Sequence, residues 1–351
     1  MKKVIILDRY DRQKRVAVIG KTGQESLQRA TILIAGVGAL GSYATEQLAR
    51  AGVGKLILID PDTVSLTNLQ RQALFTEKDA TKQKLKVEAA ADHLHRINAT
   101  TVIDCYPTPL SADQLENLTF DLALDCLDNY QARDLLNRAA VRFNFDFIFA
   151  SCAGTFGNVM AISPQVGPCL NCLFPNINDL KKNDCDLIGV NTALVPMVSA
   201  IQTSLAIKYL VAPREIAFNQ LITVDNWQLS QTNFQISKSA NCPVCQNKHP
   251  TLPQVKNQQL RLLCGSQTYT ATLRTKLDLP KMINFAQKGN CLKMAFKHFL
   301  KLSWQNHEIS WFPNGKVLLY AVASSQEAEM LFNRFDQAIT QFNHERQATQ
   351  P

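Results

Sequence analysis

Through about residue 155, short apolar runs alternate with stretches of helical spacing. Thr31–Val37, Lys55–Asp60, Thr101–Cys105, Asp121–Cys126 and Phe147–Cys152 have strand length. Ser42–Ala51, Lys82–Ile97 and Tyr130–Phe143 carry the helical period between them. Strands that are apolar throughout, rather than alternating, are buried on both faces. Their alternation with helices predicts a parallel sheet covered on both sides. The pattern then changes. Asn158–Ser163 reads as an antiparallel return strand, Val190–Leu210 as a long, largely apolar helix and Leu221–Ile236 as a strand pair. The polar stretch Gln246–Gln259 holds two prolines and predicts a linker. Beyond it, Tyr269–Leu273 alternates, Pro280–Gln287 reads as a short helix, and Leu292–Trp304 and Glu308–Trp311 are strand-like. Pro313-Asn314-Gly315 predicts a hairpin turn into Lys316–Ala323, and Gln326–Phe342 an amphipathic helix. The expected fold class is therefore α/β: a Rossmann-like mixed sheet with helices on both faces over residues 1–248, then a small α+β domain over 260–345.

At 351 residues the chain can bury one large core and a smaller one. Its 46% hydrophobic and 19% charged residues are ordinary for a globular protein and exclude general disorder. The net charge of +8 is mildly basic, with cations gathered at Lys78–Lys86 and Lys288–Lys301. No arginine-rich or aromatic-interleaved basic run points to nucleic acid. The apolar run Val4–Leu7 is too short for a signal peptide. No run reaches the ~18–20 apolar residues of a membrane span. These features predict a cytoplasmic protein with reduced thiols.

The turn Gly36-Val37-Gly38-Ala39-Leu40-Gly41 joins the first apolar run to its helix. Gly36 permits the tight turn, Gly38 lets the backbone approach a phosphate, and Gly41 allows close helix–strand packing. The helix N-terminus adds amide donors and a positive dipole end. Asp60, about twenty residues on, ends the next strand, where an acid can bind a ribose hydroxyl. This much does not separate NAD from ATP. The following segment, Asp60-Pro61-Asp62 through Asn68-Leu69-Gln70-Arg71-Gln72, favours a triphosphate. Arg71 offers a planar charged fork to phosphate oxygens. Lys86 can add a point charge, with Lys84 as its close rival. Asp128-Asn129 follows an apolar strand, at the sheet edge where ligands bind, and a carboxylate there can hold Mg²⁺. Arg133, one turn along the helix, is placed to pair with Asp128.

Cys169-Leu-Asn-Cys172 and Cys242-Pro-Val-Cys245 have the spacing of a tetrahedral four-thiolate Zn²⁺ site. Four protein ligands leave no open position, so the expected role is structural. Cys185 lies between two acids, in Asn183-Asp184-Cys185-Asp186, which would raise its pKa and slow it, while the approaching helix N-terminus works the other way. Cys105, Cys126, Cys152, Cys264 and Cys291 read as small buried hydrophobes. His93 and His95, two apart on a helix, read as surface residues.

With Arg9-Tyr10-Asp11-Arg12-Gln13 near the start, these motifs stand in an order that resembles the ThiF/MoeB/HesA family over roughly residues 8–245. These are the bacterial relatives of ubiquitin-activating enzymes. The resemblance implies an adenylyltransferase that uses ATP and Mg²⁺. Its substrate would be the C-terminal glycine of a ubiquitin-like sulfur carrier of the MoaD or ThiS type, in molybdopterin or thiamine biosynthesis. It implies that Asp60 binds ribose, Asn68 and Arg71 hold phosphates, Lys86 stabilises developing charge and Asp128 binds Mg²⁺. It implies that Arg12 reaches a neighbouring protomer's ATP, so that the enzyme is a homodimer. Cys185 matches a position that can carry a covalent intermediate. Ala39 stands where several relatives have glycine, and only its amide is needed. No sulfurtransferase loop is recognisable near Cys264 or Cys291, so sulfur would come from a separate donor such as a cysteine desulfurase. An NAD-dependent oxidoreductase and a non-catalytic carrier-binding scaffold are the alternatives.

Overall fold

The computed structural model describes residues 8–180, 189–253, 260–263, 268–275, 277–296, 299–313 and 315–348. The chain divides into two compact units, residues 1–255 and 256–351.

The first unit opens with a four-residue helix α1 (Asp11–Lys14) and helix α2 (Gly20–Arg29). Then follow β1 (Thr31–Ala35), α3 (Ala39–Ala51), β2 (Lys55–Ile59), α4 (Glu77–Thr81), α5 (Lys86–Ile97) and β3 (Val102–Tyr106). Next come α6 (Ala112–Asn117), β4 (Leu122–Asp125), α7 (Tyr130–Phe143), β5 (Phe147–Ala153) and β6 (Phe156–Ile162). Two four-residue helices, α8 (Leu170–Leu173) and α9 (Ile177–Leu180), precede α10 (Leu194–Val211), β7 (Gln220–Asp225) and β8 (Ser230–Gln235).

The strands form one eight-stranded sheet in the order β3-β2-β1-β4-β5-β6-β7-β8. The first five are parallel, and β6 to β8 add antiparallel. Strand β1 is apolar throughout because both its faces are covered. Ile32 and Ile34 join the core under α3, α5 and α10, while Leu33 and Ala35 join the core under α6 and α7. The strand order reverses between β1 and β4. The loops that leave these two strands at their carboxyl ends diverge to opposite faces and open a crevice there. Every nucleotide motif found in the sequence lies on those loops or the neighbouring one after β2.

Helix α10 lies almost wholly within the long apolar helix expected over residues 190–210 but corrects the expectation that nothing approaches a membrane span. Its 18 residues have a mean hydropathy of 1.4, long and apolar enough to cross a membrane by length and composition alone. In this fold Leu194, Val195, Val198 and Ala206 lie in the core under the sheet. Gln202 donates to the carbonyls of Asp125 and Ile148 at 3.1 and 2.9 Å, and the Ser199 hydroxyl donates to Leu40 O at 3.2 Å. These polar anchors fit a helix packed on the sheet.

The second unit holds β9 (Arg261–Leu263), β10 (Thr268–Thr272), α11 (Leu279–Lys288), β11 (Leu292–Ala295), β12 (Leu300–Trp304), β13 (His307–Trp311), β14 (Lys316–Leu319) and α12 (Ser325–Ala348). Its sheet is antiparallel, in the order β11-β12-β13-β14-β10-β9. Met282 and Phe285 from α11 and Leu331, Phe332 and Phe335 from α12 pack over Leu300, Leu302, Ile309, Trp311, Val317 and Leu319.

Candidate functional site

Gly36 has φ +92°, and a Cβ there would lie 2.7 Å from the carbonyl oxygen of Cys126 at the end of β4. A Cβ on Gly41 would lie 2.0 Å from Gly36 O. Both positions therefore need glycine for the fold itself. Gly38 differs: a Cβ there would meet only the Gln72 side-chain nitrogen, at 3.7 Å. Gly38 is also the N-cap of α3, and no side chain caps that helix. The amides of its first turn, including that of Ala39, are therefore available to an anion.

Asp60 is buried at the tip of β2. Its two carboxylate oxygens accept the amides of Val37 and Asp62, each at 2.8 Å, which ties the glycine turn to the neighbouring strand. Burial raises its pKa, and Asp62 adds to the rise. Lys86, the first residue of α5, is 8% exposed at its side chain and reaches Asp62 at 3.0 Å. Burial alone would lower the Lys86 pKa. The charges of Asp60, Asp62 and Asp128 outweigh it, so the ammonium is held well above its usual range. Lys84 turns away, to Asp92 at 2.7 Å and Asp79 at 3.7 Å. Between the two candidates, Lys86 is the one that faces the glycine turn.

Asn68 closes a single helical turn over residues 66–68 by capping Ser65. Arg71 donates to Thr67 O at 3.1 Å and has no carboxylate partner among the described residues. Gln72 is buried, and its side-chain oxygen has no hydrogen-bond partner among the described residues. Across the crevice, Asn129 caps α7 through Ala132 N at 2.9 Å and donates to Asp128 at 3.0 Å. Asp128 is exposed and faces the Lys86 charge. The structure thus brings Gly36–Gly41, Asp60, Asp62, Gln72, Lys86 and Asp128 to one edge of the sheet.

Arg133 does not pair with Asp128. It is buried, and its guanidinium donates to the carbonyls of Leu127 and Ala150, the latter at 2.9 Å. It lies 3.7 Å from Asp125 and 4.9 Å from the Phe149 ring centroid. Asp125 is fully buried, and one of its oxygens has no hydrogen-bond partner among the described residues. Burial pushes its carboxyl up to about 6, against the pull of Arg133 and the Leu127 amide. Sequence reasoning passed over Asp125; its signal was an acid closing an apolar strand. His93 is likewise no free surface residue: it bonds to the buried Asp79 at 2.7 Å, while His95 is exposed.

Arg12 sits on α1, exposed and without an ion partner among the described residues. Its neighbours are bolted to the far end of α3. The Tyr10 ring covers Gly52, Tyr10 OH accepts from Asn98 at 2.9 Å, and Gln13 donates to Ala51 O at 2.9 Å. Cys185 falls within 181–188, outside the described residues, as does Cys264. The chain re-enters at Gly189, and Thr192 donates to Gln70, in the loop of Arg71, at 2.6 Å. Burial raises the thiols of Cys105 and Cys152 to about 11 and about 12, as expected of unreactive cysteines.

Cys169 and Cys172 lie on one turn around α8, and Cys242 and Cys245 on the loop after β8. All four sulfurs fall within 4.8 Å of one another, with pairs at 3.6, 3.6 and 3.9 Å. A tetrahedron of Zn–S bonds of about 2.3 Å places its sulfurs about 3.8 Å apart. Ser239 N donates to Cys172 Sγ at 3.4 Å, a contact suited to a thiolate. The donor set and its spacing fit Zn²⁺.

Residues 10–244 match the model of the ThiF family. The chain is 28% identical to the sulfur carrier protein ThiS adenylyltransferase of Bacillus subtilis, over 93% of this chain and 98% of that one. It is 34% identical to the Escherichia coli K12 protein of the same name, over 68% of this chain and 94% of that one. Among solved structures, Escherichia coli MccB with ATP superposes with a TM-score of 0.60 at 21% identity, over 69% of this chain and 75% of that one. This last likeness speaks for the fold.

Proposed function

Because the chain belongs to the ThiF family of nucleotidyltransferases, we propose that it uses ATP to adenylate the C-terminal carboxylate of a ubiquitin-like sulfur-carrier protein. A carboxylate oxygen attacks the α-phosphorus, the bond to the bridging oxygen breaks, and pyrophosphate leaves. Such a reaction needs positioning and charge neutralisation more than covalent help. One observation carries the proposal: a buried lysine, Lys86, stands among Asp60, Asp62 and Asp128 at the sheet edge, beside an uncapped helix N-terminus.

In this scheme the α3 amides and Gly38 receive phosphates, and Asp60 accepts ribose hydroxyls on its remaining lone pairs. Asn68, Arg71 and Gln72 line the polyphosphate, and Lys86 meets the charge that develops at the α-phosphorus. Asp128, with Asn129, would hold Mg²⁺, which supplies charge neutralisation at the leaving pyrophosphate. The relative that aligns across both units is named for ThiS, which favours a ThiS-type carrier and thiamine biosynthesis over a MoaD type. Sulfur would come from a separate donor such as a cysteine desulfurase. The enzyme would act as a homodimer in the cytoplasm.

ATP–pyrophosphate exchange tests this with purified ThiS-type and MoaD-type carriers. Exchange with one alone identifies the substrate. No exchange with either, in zinc-replete protein, refutes the proposal in favour of a binding scaffold.

A further inference from the structure

Strand β4 is buried along its length, and its last residue, Asp125, is 0% exposed. A carboxylate in such a place is costly unless a cation or hydrogen bonds answer it. Arg133 on α7, 4% exposed, supplies the cation, with its Nε 3.7 Å from the carboxylate. Stability alone does not explain the pair, because apolar side chains of similar volume often serve a buried site as well. What the two charges add is geometry.

Both of them grip one residue. The Leu127 amide donates to Asp125 Oδ1 at 3.1 Å, and the Leu127 carbonyl accepts from the Arg133 guanidinium. The guanidinium is itself fixed by β5: it donates to Ala150 O at 2.9 Å and lies 4.9 Å from the centroid of the Phe149 ring. The Leu127 carbonyl belongs to the planar peptide that leads into Asp128, so this grip sets where the Asp128 side chain leaves the backbone. On the other side, Asn129 caps α7 through Ala132 N at 2.9 Å, and its carbonyl accepts Arg133 N at 3.2 Å. Asp128 itself is exposed and faces the Lys86 charge. An exposed side chain is not held by packing, so its aim depends on the backbone at either end.

We propose that Asp125 and Arg133 are positioning residues for Asp128: together they clamp the backbone of Leu127 so that the Asp128 carboxylate is presented to the nucleotide opposite Lys86. The inference rests on the proposed function, from which Asp128 takes its role. Asp125 and Arg133 act through Asp128 and need no contact with the nucleotide. Neighbours that orient a metal-binding carboxylate in this way commonly matter to affinity as much as to structure.

The test uses the full chain with ATP and no carrier, so that nothing turns over. Calorimetry measures the ATP affinity in excess Mg²⁺ and in EDTA. The wild type should bind ATP more tightly with Mg²⁺, and Asp128→Ala should lose that gain. Asp125→Asn should shrink the gain roughly tenfold or more, with the affinity in EDTA kept within about twofold. Adding Asp125→Asn to Asp128→Ala should change neither affinity further, because the one residue acts through the other. Arg133→Met alone strands the Asp125 charge and should melt early. Asp125→Asn/Arg133→Met leaves no charge unpaired, so it should melt closer to wild type and still lack the Mg²⁺ gain. Thermal unfolding checks each variant.

A full Mg²⁺ gain in folded Asp125→Asn and in the folded double variant overturns the inference. So does an equal loss of affinity with and without Mg²⁺, which would make the pair structural alone. So does a further loss when Asp125→Asn is added to Asp128→Ala. A wild type whose ATP affinity ignores Mg²⁺ removes the role of Asp128, and this one with it. Lack of exchange with either carrier is a separate result: it refutes the proposed function, and a Mg²⁺ gain that still depends on Asp125 would leave the clamp as a nucleotide-binding device.

Discussion

If Arg12 serves the site of a second protomer, two individually inactive variants should rescue each other. Tyr10 and Gln13 hold the segment of Arg12 at the C-terminal end of α3, while the glycine turn lies at its N-terminal end. The 13 residues of α3 separate the two by about 20 Å. Two residues of extended chain from Tyr10 to Arg12 span about 7 Å, and an outstretched arginine side chain roughly 7 Å more. With about 6 Å more for the Tyr10 side chain that touches Gly52, the sum only just spans that length when every part points along α3, so Arg12 is poorly placed for its own nucleotide turn. In a symmetric dimer it can reach its partner's. Arg12→Ala and Asp128→Ala should each abolish exchange. Mixing them in equal amounts with subunit exchange makes half the dimers mixed. One of the two sites in each mixed dimer has both Asp128 and a partner's Arg12, which restores about a quarter of wild-type activity. If Arg12 acted on its own site, no combination would restore anything. A mixture that stays inactive, with mixed dimers demonstrated by tag pull-down, refutes the reasoning.

Arg133→Ala should destabilise the protein by about 3–5 kcal/mol, because it strands the buried Asp125 carboxylate. Arg133→Lys should restore stability only in part, since an ammonium can reach the carbonyls but loses the planar guanidinium's packing on the Phe149 ring. Asp128→Ala, at an exposed position, should keep its denaturant midpoint and zinc content while losing exchange; near-normal turnover would refute its assigned role. Gly38→Ala should raise the KM for ATP and lose much less stability than Gly41→Ala, which should lose more than about 3 kcal/mol. Equal stability of the two would contradict the geometry of the turn. Cys169→Ser should lower both bound zinc, measured by elemental analysis, and the unfolding temperature; a zinc-free variant that melts like wild type would make the site dispensable to the fold. Asp79, despite burial that would raise its pKa, is held down at about 2 by Thr76 and His93. Its contribution to stability is present above its ordinary value of 3.8 and is lost as pH falls toward about 2. Asp79→Asn should therefore flatten that acid limb of the unfolding curve, and an unchanged limb would contradict it.

What one-dimensional pattern reveals, and what it hides, follows from where the constraints act. Strands β1, β2, β4 and β5 were legible because a strand covered on both faces must be apolar at every position. The glycine turn and the CxxC pairs were legible because each packs its requirement into a few consecutive residues. Helix α2 was not: its sequence GKTGQESLQR is polar with two glycines, and it buries only Gly23, Gln24 and Leu27. It forms there because Gly23 lets Val211 of α10 come close, a contact nearly two hundred residues away. The run Lys82–Ile97 looked like one helix, but Gln83 takes φ +47°, and α5 begins only at Lys86. Leu292–Trp304 looked continuous because no glycine or proline marks the turn between β11 and β12. Arg133 shows the limit best. Its helical spacing from Asp128 suggested an exposed pair, yet β5 supplies Ala150 O and the Phe149 ring, and these draw the side chain inward. The same partners fix the turn after β4 on which Asp128 stands. Side chains that touch ligand are readable from local motifs, because they lie on loops whose neighbours along the chain are also their neighbours in space. Side chains that hold those loops in place answer to other strands, and their roles emerge only once the sheet is assembled.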